Sequence, residues 1–299
     1  MSALPVLVAF VVAAAFGIGG RIYAQETHDV RPLPKSEPPL LVTVDHCFAV
    51  SSNPESLFIT FRDTFGLPVA WPFRASGDFA SGGVSVGNAV IEFVTWKASA
   101  GEVLKTEWKM LAFEPSGDTA MTIRELARRG VPHSEPEVAT HRDDAGKEVV
   151  AWINTALEGA GLTEIVFICD YANRERVAEN RRARADELVQ ARGGPLGVRR
   201  LKVIQVEVTD LDASRIEWRK LVDLPAQVKG DVLHFGDGPS IQLVKGTSPG
   251  IRGIVLEVSS LKQAENFLRE RQMLASTTEG SVAVESAAIG GLIVRLVGE

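Results

Sequence analysis

Residues 41–66 read LVTVDHCFAVSSNPESLFITFRDTFG. The first ten alternate and are rich in β-branched side chains, which predicts a strand over 41–50. Ser51-Ser52-Asn53-Pro54-Glu55 then carries turn and helix-start chemistry. Ser56 to Phe65 places Leu57, Phe58, Phe61 and Phe65 on one helical face, and Gly66 follows as the stop. Three further strand candidates come next: LPVAWPF (67–73), FASGGVSVGN (79–88) and AVIEFVTW (89–96). The unit is therefore strand, helix, then strands.

The same order recurs three times. The second copy has a strand in TEWKMLAFEP (106–115), a helix over 118–129, and strands in EVVAWINTAL (148–157) and LTEIVFICDY (162–171). The third has LKVIQVEV (201–208), a helix over 213–221, DVLHFGD (231–237) and PSIQLVKG (239–246). The fourth has GIRGIVLEV (250–258), a helix over 261–271, SVAVESAAI (281–289) and GLIVRLVGE (291–299). One such unit is too small to bury a good core, so units should pair. The expected fold is α+β, with four βαβββ units paired into two domains, 41–171 and 201–299. A length of 299 residues also suggests two domains.

Between the pairs, residues 172–200 contain NRERVAENRRARADELVQAR and then the breaker GGPLG. This reads as a solvated linker helix with i,i+4 Glu–Arg pairs. A membrane-surface or phosphate-binding role is weakened by the interspersed Glu175, Glu179, Asp186 and Glu187. Ahead of the repeats, residues 3–20 carry no charge, and Ile22 and Ala24 suit a cleavage point after Ala24. Residues 1–24 are expected to be an export signal, cleaved or kept as a membrane anchor, and 25–40 a proline-rich polar linker. The expected location is periplasmic or extracellular. In an oxidising compartment Cys47 and Cys169 could pair, but two buried small hydrophobes is the simpler reading.

Hydrophobic residues make up 45% and charged residues 23%, which excludes a disordered, collagenous or multi-span membrane chain. A net charge of -6 argues against broad capture of nucleic acid. Two cysteines and five histidines exclude a disulfide framework or a Cys-rich zinc site. Motifs for serine hydrolases, zinc proteases, dinucleotide binding and phosphate loops are absent; Ala80-Ser81-Gly82-Gly83 reads as a flexible loop or turn near a cleft. Trp71, Phe73, Phe79, Phe93, Trp96, Trp108 and Trp152 suit either a core or the walls of a small-molecule pocket.

The fourfold βαβββ order, with DHCFAV, SLFITFRDTFGLPV and VIEFVTW in sequence, resembles the vicinal oxygen chelate superfamily of glyoxalase-like domains. The resemblance covers about residue 41 to the C-terminus. It implies paired units around an open cleft, a small-molecule substrate or ligand, and often a divalent metal held from the first and last strands of each unit. On it, His46 and Glu92 match the first unit's ligands, a set suited to zinc, nickel, iron or manganese. In the second unit, the place of His46 falls near Trp108, Lys109 or Met110, and that of Glu92 on Glu164 or Phe167. At best the metal site is His46, Glu92 and Glu164, with Glu92 or Glu164 free to shuttle a proton. His133 and His141, in loop-like PHSEPEVATHRDD (132–144), read as exposed loop residues before ligands. In the third and fourth units the places fall near Gln205, Gln242, Val255 and Arg295, which make no metal site. Two functions follow from the resemblance: a metal-dependent lyase, isomerase or dioxygenase, or a metal-free protein that binds a small molecule in the same cleft.

Overall fold

The computed structural model describes residues 39–299, apart from 78, 97–103, 144 and 225–226. The export segment and nearly all of the linker fall outside these residues. The last linker positions do not: Leu40 is buried, and its amide donates to Asp223. Among the described residues no helix is long and apolar enough to cross a membrane.

The first unit runs β1 (Leu41–Val50), α1 (Pro54–Ile59), β2 (Val69–Ser76), β3 (Phe79–Ser85) and β4 (Val90–Trp96). The second runs β5 (Glu107–Pro115), α2 (Thr119–Arg128), β6 (Glu137–Arg142), β7 (Glu148–Ala156) and β8 (Val166–Tyr171). A connecting helix, α3 (Arg174–Gln190), leads to β9 (Val198–Val208), α4 (Leu211–Arg219), β10 (Val228–Lys229), β11 (Val232–Leu233) and β12 (Ser240–Lys245). The last unit is β13 (Gly250–Val258), α5 (Leu261–Glu270), β14 (Leu274–Thr278), β15 (Ser281–Val284) and β16 (Val294–Val297). The α+β fold of four βαβββ units is thus the observed one.

Local chemistry explains the helix starts. Asn53, Asp118, Asp210 and Ser260 each accept a backbone N–H three residues on, filling part of the unpaired first turn. Helix α1 widens into a π-turn over Thr60–Thr64, and Gly66 ends it at φ +69°, a conformation that costs a glycine little.

Each pair of units makes one eight-stranded sheet. The orders are β2-β3-β4-β1-β5-β8-β7-β6 and β10-β11-β12-β9-β13-β16-β15-β14. Within the first unit β1 runs parallel to β4, and the first strands of the two units, β1 and β5, pair antiparallel at the centre. The helices and one face of both sheets share a single apolar core. Phe113 meets Phe235 at 4.7 Å between ring centroids and Trp218 at 6.4 Å, so the two sheets bury surface on each other. The indole N–H of Trp218 donates to the Gly161 carbonyl at 3.1 Å. The other face of the first sheet lies outside this core and carries two smaller aromatic clusters; it is the side on which the resemblance expects a cleft.

Candidate functional site

On β1 the ladder to β5 shifts register between Val44 and His46: Val44 pairs with Phe113 and His46 with Ala112. Asp45 is the extra residue of this bulge. A bulge re-aims side chains, so two consecutive residues interact instead of pointing to opposite faces. The Nδ1–H of His46 donates to Asp45 Oδ2 at 2.6 Å. His46 Nε2 then lies 3.6 Å from Glu92 Oε2 on β4. Asp45, His46 and Glu92 are 5%, 5% and 3% exposed.

Each partner is itself held. Ser81 donates to Glu92 Oε1, and the Trp71 indole N–H donates to Ser81 at 3.1 Å. The Tyr171 hydroxyl donates to Asp45 Oδ2 at 2.7 Å. Arg181, from α3, donates to Asp45 Oδ1, and also to Glu114 Oε2 at 2.7 Å. Burial alone would raise the Asp45 carboxyl, but the hydrogen bond and charge of His46, with Arg181 and Tyr171, hold it below the usual carboxylate range. Burial alone would lower His46; the hydrogen bond and charge of Asp45, with Glu92, raise it above its ordinary 6.5. Burial raises the Glu92 carboxyl, against the pull of His46 and Ser81. The result is a buried imidazole and carboxylate side by side, with a gap longer than a hydrogen bond.

The walls are aromatic. The rings of Phe48, Phe167 and Trp71 lie 5.0, 5.7 and 6.4 Å from that of His46. Phe48, Met110, Trp152 and Tyr171 pack half-buried around Ala112, Phe167 and Cys169. Phe48, Trp96 and Leu104 pack against Val50, Phe79 and Val94. These two clusters are separate from the main core, whereas Phe93 and Trp108 belong to it. The aromatic set is therefore divided between core and cleft.

The register settles the other units. In the first, Glu92 pairs with Phe48 and His46 stands two residues earlier. In the second, Phe167 pairs with Ala112, which puts Phe167 in the place of Glu92 and Met110 in that of His46. Glu164 is not brought to the pair. It lies before β8, exposed, at φ +62°, in a groove between the domains that Lys109 also lines. In the third unit Gln242 pairs with Gln205, so Val203, not Gln205, stands where His46 does, and the two glutamines hydrogen-bond at 2.9 Å. In the fourth, Arg295 is beside Val255 and exposed.

His133 and His141 are half-buried rather than loop-exposed. His133 makes a backbone bridge to Leu157, and His141 sits on β6, the outermost strand. Four strand spacings, about 19 Å, separate β6 from β1. Cys47 and Cys169 are both free and buried, Cys47 in the main core and Cys169 in the cleft wall. Burial pushes the Cys47 thiol up to about 12. Segment 80–83 is no loop: it belongs to β3, every residue of which is buried. Gly83 lets the Trp71 ring lie flat on that strand, since a Cβ there would meet Trp71 Cε2 at 2.7 Å.

The donor set does not fit a resident divalent metal. The first unit offers an imidazole and a carboxylate; the second offers a thioether and a phenyl ring, and divalent ions of this kind need more N or O donors. Among the described residues no three His, Cys, Asp or Glu side chains come together to hold an ion.

No family model and no curated protein matches the chain. Solved structures do. A hypothetical protein from Staphylococcus aureus aligns with a TM-score of 0.56 at 10% identity, over 86% of this chain and 99% of that one. The 4-hydroxymandelate synthase of Streptomyces coelicolor, in a mutant form, aligns at 0.56 and 12% identity, over 87% and 93%. The 2,3-dioxygenase LapB of Pseudomonas sp. KL28 aligns at 0.54 and 11% identity, over 87% and 93%. With two curved eight-stranded sheets built from four βαβββ units, the chain has the fold of the vicinal oxygen chelate superfamily, the fold of that synthase and that dioxygenase.

Proposed function

We infer that the first domain is a small-molecule cleft that works without a resident metal. The second unit's Met110 and Phe167, where ligands would stand, carry this reading. The cleft suits a small, largely apolar ligand with one polar group. Phe48, Trp71, Trp152 and Phe167 would bury its body, and His46 and Glu92 would meet the polar group. An imidazole and a carboxyl group side by side can donate one hydrogen bond and accept another, or pass a proton. The second domain, with Val203 and Gln242 in the matching places, supports the first through their common core. Export, expected from the uncharged stretch 3–20, belongs to the same proposal, and cell fractionation of the full chain checks it.

Thermal-shift screening of the full chain against small hydroxylated aromatics, with EDTA present, tests the cleft. A hit should stabilise the fold by mass action, and Glu92→Gln and His46→Ala should abolish the shift. A hit that needs added iron, manganese, nickel or zinc would contradict the inference. The second reading, metal-assisted chemistry of the dioxygenase kind, draws on the 3.6 Å His46–Glu92 spacing, which two ligands of one ion can span. It lacks further donors.

A further inference from the structure

Helix α3 is more than a solvated connection. Arg174, Arg181 and Leu188 recur every seven residues and so share one helical face. That face turns inward. Leu188 is buried, while Arg176 and Arg182 are exposed. Arg174 donates to Asp170 Oδ1 at 2.9 Å and to the carbonyls of Pro115, Ser116 and Gly117, which fastens the helix start to the ends of β5 and β8. Two turns on, Arg181 reaches the floor of the cleft with a side chain 19% exposed.

Asp45 has two carboxylate oxygens. Oδ2 accepts from His46 and Tyr171, and Oδ1 accepts from Arg181. A carboxylate held on both oxygens cannot rotate, so it fixes the ring that leans on it. Glu114 holds Arg181 from the far side. Without Arg181, Oδ1 would be a buried acceptor with its partner removed, an expensive state that rotation of Asp45 would relieve.

We propose that Arg181 is a positioning residue for the His46–Glu92 pair: by locking Asp45 it sets the tilt and the proton-bearing nitrogen of the His46 ring. The proposal rests on the reading of the cleft as the functional site. The charged and titratable groups facing His46 are Asp45 on its own strand, Glu92 on β4, Tyr171 with Cys169 beside it on β8, and Arg181 on α3.

The test follows the His46 ring resonances by NMR in the ligand-free full chain as pH is varied. Arg181→Gln frees Asp45 to rotate away from Nδ1, and since Asp45 raises His46 more than Arg181 lowers it, the His46 midpoint should fall and the ring resonances should broaden; loss of the charge alone would make it rise. Arg181→Lys keeps the charge but cannot grip Asp45 and Glu114 together, and should fall between. Arg174→Gln loosens the helix start without touching Asp45 and should leave the midpoint in place. An unchanged or raised midpoint in Arg181→Gln, or an equal fall in Arg174→Gln, would overturn the proposal. If Arg181→Gln fails to fold, the comparison of Arg181→Lys with Arg174→Gln decides by the same criterion. No ligand enters this measurement. A cleft that binds nothing while His46 responds defeats the functional reading alone; a cleft that binds while His46 is indifferent to Arg181 defeats the positioning role alone.

Discussion

His46 sits between two opposed forces. Burial favours the neutral ring, and the Asp45 carboxylate favours the charged one and wins. The sign of the pH dependence follows. A histidine raised in the fold contributes stability that is fully present below about 6.5 and is lost as pH rises through its folded value. Glu92 adds to the trend, because burial makes its ionised form costly above the ordinary carboxylate range. Asp45→Asn removes the charge that wins, so the His46 midpoint should fall and the loss of stability toward alkaline pH should shrink. The variant should also unfold more easily, by about 3 kcal/mol, since it breaks a buried charge pair. Urea unfolding across pH 5–9 with an NMR titration of His46 checks both; a midpoint that stays or rises in Asp45→Asn contradicts this account. His46 and Glu92 were legible in the sequence because each lies on a strand of the clearest repeat. Asp45 was not legible as their partner, since strand alternation sends neighbours to opposite faces unless a bulge intervenes, and bulges leave little trace in a sequence. Arg181 was hidden by 136 residues of separation and by lying in a run that looks solvated. Glu164 stood in for Phe167 because three residues of strand start decide which side chain faces inward.

Elements that bury a face were legible, and elements at sheet margins were not. β1 and β13 have the bounds their patterns predict, because a central strand alternates or is apolar throughout. β6, β10 and β14 are edge strands with no fully buried side chain, so EVATHR and LASTT show no core-facing pattern. β3 is the instructive case. Its Gly82-Gly83 reads as a loop, yet glycine in a strand also marks close approach of a neighbour. Here the neighbours are Phe73 and Trp71. Gly83→Ala should push the Trp71 ring away and break the chain Trp71–Ser81–Glu92. The expected cost is about 1–3 kcal/mol, with altered tryptophan fluorescence. Gly250→Ala, with nothing within 4 Å of the added carbon, should change stability by no more than about 0.5 kcal/mol. Equal unfolding midpoints in urea for the two variants would refute this role for Gly83.

The whole molecule repeats one unit four times but keeps imidazole and carboxylate together in one. The second unit adds Trp152, Phe167 and Tyr171 to that cleft's aromatic wall, and α3 braces its floor. The third unit meets its core through Phe235 and Trp218, and the fourth joins the same core. The repeat order sufficed to place the fold. It did not decide the chemistry, because that depends on which residue in each strand pair faces the cleft. The central claim, that the cleft works without a resident metal, is tested most directly by calorimetric titration of the chelator-stripped full chain with ferrous, manganous, nickel and zinc ions, beside the double variant Met110→His/Phe167→Glu. The native chain should take up no ion at micromolar concentration, and the double variant, which completes four donors, should take up one. Stoichiometric micromolar binding by the native chain, lost in His46→Ala, would contradict the account.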